Sequence, residues 1–400
     1  MKKILPAIIG LGYVGLPVFN SLKKKFKVIG FDTNRDRVTN LNYQIDTNSE
    51  FSKNELKLLN KSQITNQKEN LKKCNFFIIT VPTPINKNNL PNLKYIISAF
   101  RTISKYIKKD DIIFLESTVF PGTTEKICKN IIKKNNKVKF HIGYSSERIN
   151  PGDKIHNIKN ISKVVSIKGS KDIISRVKKV YSYISKEIIF SENIKEAELS
   201  KLIENTQRDL NIALMNEIMI LCHKTNLDFN EVIKLARSKW NFLKFNPGLV
   251  GGHCLPVDPY YLSYYAKKSK FKTKVTLAGR SVNNSMEKFI FEKIYKKISK
   301  IKGERNKKII IAGLTYKPNV ADLRNSLAIK ILKKLKNKIP NIVAYDPIIE
   351  KKLAKKLKIE VDFKNIKKAD IFIFLVKHNK FENIYTYAKK NNKIIFDPFS

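Results

Sequence analysis

The chain has little cysteine: four in 400 residues, at Cys74, Cys128, Cys222 and Cys254. They stand too far apart for a zinc site or a disulfide framework, so neither a metal-built nor a disulfide-built fold is expected, and a reducing cytoplasm is the expected compartment. No apolar run approaches the roughly 18 residues that a membrane helix needs, so no membrane association is expected. The opening MKKILPAIIGLGYVGLPVF sets two lysines before an apolar stretch but shows no small-residue cleavage site, so no secretory leader is expected. Acidic residues are scarce as well, 34 against 79 basic ones, for a formal net charge of +45. Such a charge invites a nucleic-acid reading, yet only ten of the basic residues are arginines. Proteins that clamp phosphates or read bases use clustered arginine forks, and here lysines are spread over every helical stretch. Drift toward lysine, asparagine and isoleucine accounts for the excess, and no nucleic-acid partner is expected. A polyanion-binding protein on a dinucleotide fold is the competing class, and it requires nucleic-acid affinity that falls steeply with salt. Either way the field draws in anionic substrates.

The length predicts two or three domains. Residues 1–190 alternate β-rich runs (ILPAIIG, FKVIGFD, NFFIITVP, DIIFLEST, KVKFHIGYSS) with helical stretches, the pattern of a parallel, doubly wound sheet. From residue 192 to about 225 the sequence holds no glycine or proline and reads as one long helix, opening a helical segment that runs over 191–300. After the polar stretch IKGERNKK a second alternating set, KIIIAGL, NIVAYDP, ADIFIFLV and KIIFD, fills 301–400. The expected fold is α/β: two Rossmann-like doubly wound parallel-sheet domains joined by a long central helix and a helical middle domain.

Gly10-Leu11-Gly12-Tyr13-Val14-Gly15 fits G-x-G-x-x-G between the first strand and a helix, with Asp32 at the end of the next strand, 17 residues beyond Gly15. The first glycine allows a tight turn, the second lets backbone approach a pyrophosphate, and the third lets the helix pack close. Asp32 would accept hydrogen bonds from the adenosine ribose, and its charge repels a 2′-phosphate, which favours NAD over NADP. Arg35 and Arg37 nearby argue the other way, and Arg37 counts among the cofactor contacts. Thr83 in VPTP and Thr118 in ESTV stand at the ends of the third and fourth expected strands, placed to line the nicotinamide side.

The stretch NPGLVGGHCLPVDPYYL sets Cys254 in glycine- and proline-rich backbone. A buried structural thiol needs only apolar neighbours, whereas a nucleophile that must meet a substrate suits a loop this open. A single-step β-hydroxyacid dehydrogenase would share the amino-terminal pattern and the helix but would need no such cysteine.

Through GLGYVGLP, VPTP, ESTVFPGTT, YSSERINPGD, AELSKLIENTQRDLNIALMNE, PGLVGGHCLPVDPYYL and GLTYKPNVADLRNS the chain resembles the UDP-glucose/GDP-mannose dehydrogenase family over nearly its whole length. That resemblance implies oxidation of C6 of a nucleotide sugar from alcohol through aldehyde to acid, with two NAD reduced per turnover, by a homodimer or larger homo-oligomer. An aldehyde can yield a second hydride only after a nucleophile adds to it; a thiolate gives a thiohemiacetal, then a thioester that water cleaves. Cys254 matches the family nucleophile, and Asp258 the aspartate that handles water or a proton. Lys201 and Asn205, four apart on the long helix, match a pair that stabilises an oxyanion. Glu147 matches the general acid/base carboxylate, with Thr118 holding a water. Arg148, Arg208, Gly251, Gly252 and Lys317 are implied substrate contacts beside Glu147, Lys201 and Asn205, and Arg324 a cofactor contact. The carboxyl-terminal domain has no G-x-G-x-x-G, so it is expected to hold UDP.

Two departures bear on the substrate. Pro151 stands where UDP-glucose enzymes often carry an acid, and Val257 where they carry a lysine. With VGGHC-x-x-VDPYYL these point to the UDP-N-acetylhexosamine branch, against UDP-glucose or UDP-N-acetylmannosamine 6-dehydrogenase. The chain ends at IIFDPFS just past an expected last strand, so a final helix is expected to be missing or reduced.

Overall fold

The computed structural model describes residues 3–48, 51, 53–56, 63–150, 153, 155 and 157–400. Pro151 lies outside the described residues. The chain packs as two compact units, one of residues 1–204 with 260–271, the other of 205–259 with 272–400.

In the first unit eight strands form one sheet: β1 (Pro6–Ile9), β2 (Ile29–Phe31), β3 (Ile64–Thr65), β4 (Phe76–Ile79), β5 (Ile112–Leu115), β6 (His141–Ser145), β7 (Lys163–Ile167) and β8 (Ile188–Ser191), in the order β3-β2-β1-β4-β5-β6-β7-β8. PAII, FFII and IIFL are buried throughout, as strands covered on both faces must be. One face packs Leu16, Phe19, Val177 and Tyr181, the other Ile96, Phe100, Ile132 and Ala197. The order reverses between β1 and β4, so their carboxyl ends open a crevice of the kind in which such sheets bind ligands. The neighbours are parallel except β6 and β7, which run antiparallel with Tyr144 opposite Ser166. β7 and its direction lie outside the strands expected from the sequence.

In the second unit β9 (Ile309–Ala312), β10 (Ile342–Tyr345), β11 (Ile359–Glu360), β12 (Ile371–Phe374) and β13 (Ile394–Phe396) form a parallel sheet in the order β11-β10-β9-β12-β13. Ile290, Ile294 and Ile298, from the helix Lys274–Ser299, pack with Ile309, Ile311 and Leu335. The long helix runs Ile194–Thr225, close to the expected span, and no described helix is long and apolar enough to cross a membrane.

Candidate active site

The glycine turn follows β1. Gly10 takes φ +96°, and its N–H donates to Phe31 O at 2.8 Å. A methyl group on Gly15 would lie 1.8 Å from Gly10 O and 2.5 Å from Thr80 Oγ1, whereas one on Gly12 would meet nothing within 4 Å. The third glycine is therefore demanded by packing, and the second leaves room for a group from outside. Asp32 Oδ2 accepts the Leu11 N–H at 2.8 Å, and Oδ1 accepts that of Asn34 at 2.9 Å, which aims the carboxylate across the turn. The helix Gly15–Leu22 has no side-chain cap at Val14, so its amino end suits a phosphate. These residues fit NAD. Arg37 is buried and bonded to Leu11 O, Asp46 and Thr47, so it braces the turn.

Thr83 and Thr118 are half-buried on the loops that leave β4 and β5, and Ser117 Oγ joins those loops by donating to Val81 O at 2.6 Å. Tyr261 Oη donates to Pro84 O at 3.2 Å, which ties the PYYL stretch to the same loop. Glu198 of the long helix accepts the N–H groups of Gly122 and Thr124 at 2.5 and 2.8 Å, fastening that helix beneath the loop that carries Thr118.

Glu147, just past β6, is buried. Its Oε1 accepts the N–H groups of Arg148 and Ile149 at 2.7 and 2.8 Å, and its Oε2 accepts Lys163 Nζ at 2.7 Å. Burial alone would raise this carboxyl, but Lys163 and the backbone donors overcome it and hold Glu147 below the usual carboxylate range. Arg148 pairs with Glu204 and Ser162 O, and Lys201 Nζ lies 3.8 Å from Glu204.

In the second unit Asn205 Nδ2 donates to Asp258 Oδ2 at 2.5 Å. Cys254 O accepts the N–H groups of Val257 and Asp258, both at 2.9 Å, so the cysteine lies one turn ahead of the helix Asp258–Lys268. Cys254 is exposed while the other three cysteines are buried. Burial pushes Cys74 up to about 12 and raises Cys128 further, so neither supplies a thiolate at neutral pH. The glycines before Cys254 have a packing reason of their own. A methyl on Gly251 would lie 2.8 Å from Asn325 O, and one on Gly252, at φ +82°, would lie 2.7 Å from the Tyr316 ring. Asn325 Nδ2 also donates to Gly252 O at 3.0 Å. Asn216 grips Gly248 twice, accepting its N–H at 2.8 Å and donating to its carbonyl at 3.1 Å. Asp209 takes Arg280 at 2.6 Å and Asn283 at 2.8 Å. No local pattern in the sequence assigns these tasks to Asp209 and Asn216, because their partners lie 32 to 74 residues away. Arg208 is exposed and Lys317 half-buried, and Arg324 pairs with Asp322 through Nε and Nη2.

The second sheet repeats the first turn and then closes it. Gly313 has φ +79°, and Asp346 Oδ2, after β10, accepts the Leu314 N–H at 2.7 Å, as Asp32 does that of Leu11. Here, however, His378 Nε2 lies 3.1 Å from the same oxygen and both side chains are fully buried. His378 Nδ1 accepts the Asn319 N–H at 2.9 Å, which assigns the ring proton to Nε2 and the bond to Asp346. This aspartate is sealed from a ribose.

Residues 3–185, 195–285 and 310–400 match the NAD binding, central and UDP binding domains of the UDP-glucose/GDP-mannose dehydrogenase family. Protein CapL of Staphylococcus aureus is 43% identical, covering 98% of this chain and 94% of its own. UDP-N-acetyl-D-glucosamine 6-dehydrogenase of Salmonella typhi is 40% identical, covering 94% and 91%. The solved UDP-D-ManNAc dehydrogenase of Pyrococcus horikoshii superposes with a TM-score of 0.84 at 29% identity, covering 98% and 95%. Matches this long and in this order lead to one conclusion: the chain belongs to the UDP-glucose/GDP-mannose dehydrogenase family and is an NAD-dependent nucleotide-sugar dehydrogenase.

Proposed function

We propose that the protein oxidises C6 of a UDP-N-acetylhexosamine, of the GlcNAc or GalNAc configuration, to the UDP-N-acetylhexosaminuronic acid in the cytoplasm, for a surface polysaccharide. The relative that acts on UDP-N-acetyl-D-glucosamine shares 40% identity over 94% of the chain, and this observation carries the choice of sugar. Val257 supports it: it is buried and apolar where a UDP-glucose enzyme carries a lysine. A pocket built for an N-acetyl group loses a hydrogen-bond partner and filled volume when it takes a plain hydroxyl, which costs on the order of 10²-fold in kcat/KM.

The exposed Cys254 thiolate adds to the C6 aldehyde, and loss of hydride leaves a thioester on its sulfur. NAD, when bound, accepts the hydride in each oxidation. Lys201 and Asn205 stabilise the oxyanion, a role worth about 3 kcal/mol. Asp258, oriented by Asn205, and Thr118 direct the water that cleaves the thioester. Glu147, held ionised, takes the proton of the C6 hydroxyl. Arg148, Arg208, Gly251, Gly252 and Lys317 hold the UDP-sugar, and Arg324 reaches the cofactor.

The tasks divide along the chain, with residues 1–190 holding NAD, 191–300 carrying the thiol loop and 301–400 holding UDP. We further propose a homodimer or larger homo-oligomer, supported by Leu214 and Leu221, each about half exposed on the long helix; sedimentation of the purified protein tests it.

A panel of UDP-sugars tests the main reading. UDP-GlcNAc or UDP-GalNAc is expected to give the highest kcat/KM, with two NADH and one uronate formed per sugar consumed. A kcat/KM for UDP-glucose or UDP-ManNAc equal to or above both would overturn the substrate assignment. A ratio of one NADH with accumulating aldehyde would overturn the covalent mechanism, as would normal acid formation by Cys254→Ala.

A further inference from the structure

We propose that Lys163 is a positioning residue of the oxidation: from the first position of β7 it holds the Glu147 carboxylate oriented and charged as the proton acceptor, with Glu116 as the second carboxylate of a closed triad. The inference rests on the role proposed above for Glu147.

The sheet reversal makes the triad possible. Had β7 run parallel to β6, its first residue would stand at the opposite edge of the sheet from Glu147. Because β7 runs antiparallel, it starts at the carboxyl ends of β5 and β6, where Glu116 and Glu147 emerge. Lys163 Nζ lies 2.7 Å from Glu147 Oε2 and 3.0 Å from Glu116 Oε2. The three side chains are between 0 and 8% exposed, so bulk water screens none of these charges.

The surrounding groups divide the tasks of the two carboxylates. Glu116 Oε1 accepts the Tyr181 hydroxyl at 2.8 Å, from the helix Lys171–Tyr181. Glu147 has two backbone donors on its other oxygen. The nearby charges from the adjoining loop and the long helix, Arg148, Lys201 and Glu204, pair with one another. Two carboxylates share one ammonium, so as the pH falls the carboxylate with the weaker support is neutralised first and the other stays ionised. Burial pushes Glu116 up despite Lys163, whereas Lys163 and the backbone donors hold Glu147 down. Burial would lower Lys163, but the two carboxylates reverse this and keep it charged. Glu147 is therefore left as the open base. When it takes a proton, its carboxylate becomes the acid, and Lys163 keeps its own protons throughout.

The test is the pH dependence of kcat/KM for the full-length enzyme with NAD and its best UDP-sugar, measured alongside a thermal melt for each variant. Lys163→Met is expected to move the acidic limb up by about one pH unit or more and to cut kcat at neutral pH by about tenfold, with KM for the sugar little changed. Lys163→Arg is expected to restore the limb in part. Glu116→Gln leaves Lys163 to Glu147 alone and is expected to move the limb down. A folded Lys163→Met enzyme with the wild-type limb would make the triad a structural ion pair only and overturn the inference. If Lys163→Met does not fold, an unmoved limb in Glu116→Gln overturns it equally. Near-normal turnover by Glu147→Gln would instead remove the catalytic role of Glu147 itself, a failure of the earlier reading that the Lys163 variants do not mimic.

Discussion

Asn205 donates to Asp258 at 2.5 Å, joining the long helix to the first residue of the helix that follows Cys254. Asn216 on the same long helix fixes Gly248, ahead of the cysteine, so the loop is pinned before and after Cys254. A thiol can be exposed without being mobile when its loop is held from both sides in this way.

The Asn205–Asp258 bond joins an amide to a carboxylate, and such bonds contribute about 1.5–3 kcal/mol. A double-mutant cycle of Asn205→Ala and Asp258→Ala, read by denaturant unfolding, is expected to show a coupling energy of about that size. Strictly additive losses would mean that the two side chains do not meet in solution.

The glycine turn separates folding from binding. Gly15→Ala drives a methyl group into Gly10 O and is expected to cost several degrees of melting temperature or prevent folding. Gly12→Ala meets no protein atom within 4 Å, so it is expected to melt like the wild type while NAD binding weakens at least tenfold. Calorimetric titration with NAD checks the pair, and unchanged NAD affinity in Gly12→Ala would place the pyrophosphate elsewhere.

Asp32→Asn preserves shape but removes the charge from the turn. NAD affinity is expected to fall by about tenfold, and the preference over NADP to narrow, because the 2′-phosphate is no longer repelled. The ratio of kcat/KM for the two cofactors measures this, and an unchanged ratio would mean that Asp32 does not face the ribose.

Burial raises Glu198 to about 7 against the pull of its bonds from Thr124 and Gly122. Its folded value exceeds its unfolded one, so its contribution to stability is complete below about pH 4.5 and is lost as the pH rises through about 7. The loss amounts to about 3 kcal/mol. Denaturant unfolding from pH 5 to 8 is expected to show wild-type stability falling relative to Glu198→Gln across that window. Parallel curves would show that Glu198 is ionised throughout.

Much of the fold and of the cofactor turn is legible in the sequence because it depends on local backbone. Gly10 and Gly15 mark a turn that larger residues do not fit, Gly12 leaves it open to a ligand, and Asp32 follows at the end of the next strand. The glycine- and proline-rich run around Cys254 marks a loop. The long helix could be read from the absence of glycine and proline between residue 192 and Thr225. What the tertiary structure alone decided is which distant polar groups meet in the interior. Lys163 is one lysine in a chain full of them, and its partner Glu116 lies 47 residues away. It is brought there by a strand whose direction no local pattern records. Asp346 resembles Asp32 in sequence, yet His378, 32 residues further on, closes it. Backbone conformation is set by neighbours in the chain, so short windows reveal it. Burying a charge requires a partner, and that partner is chosen by sheet order and strand direction, which exist only once the chain has folded.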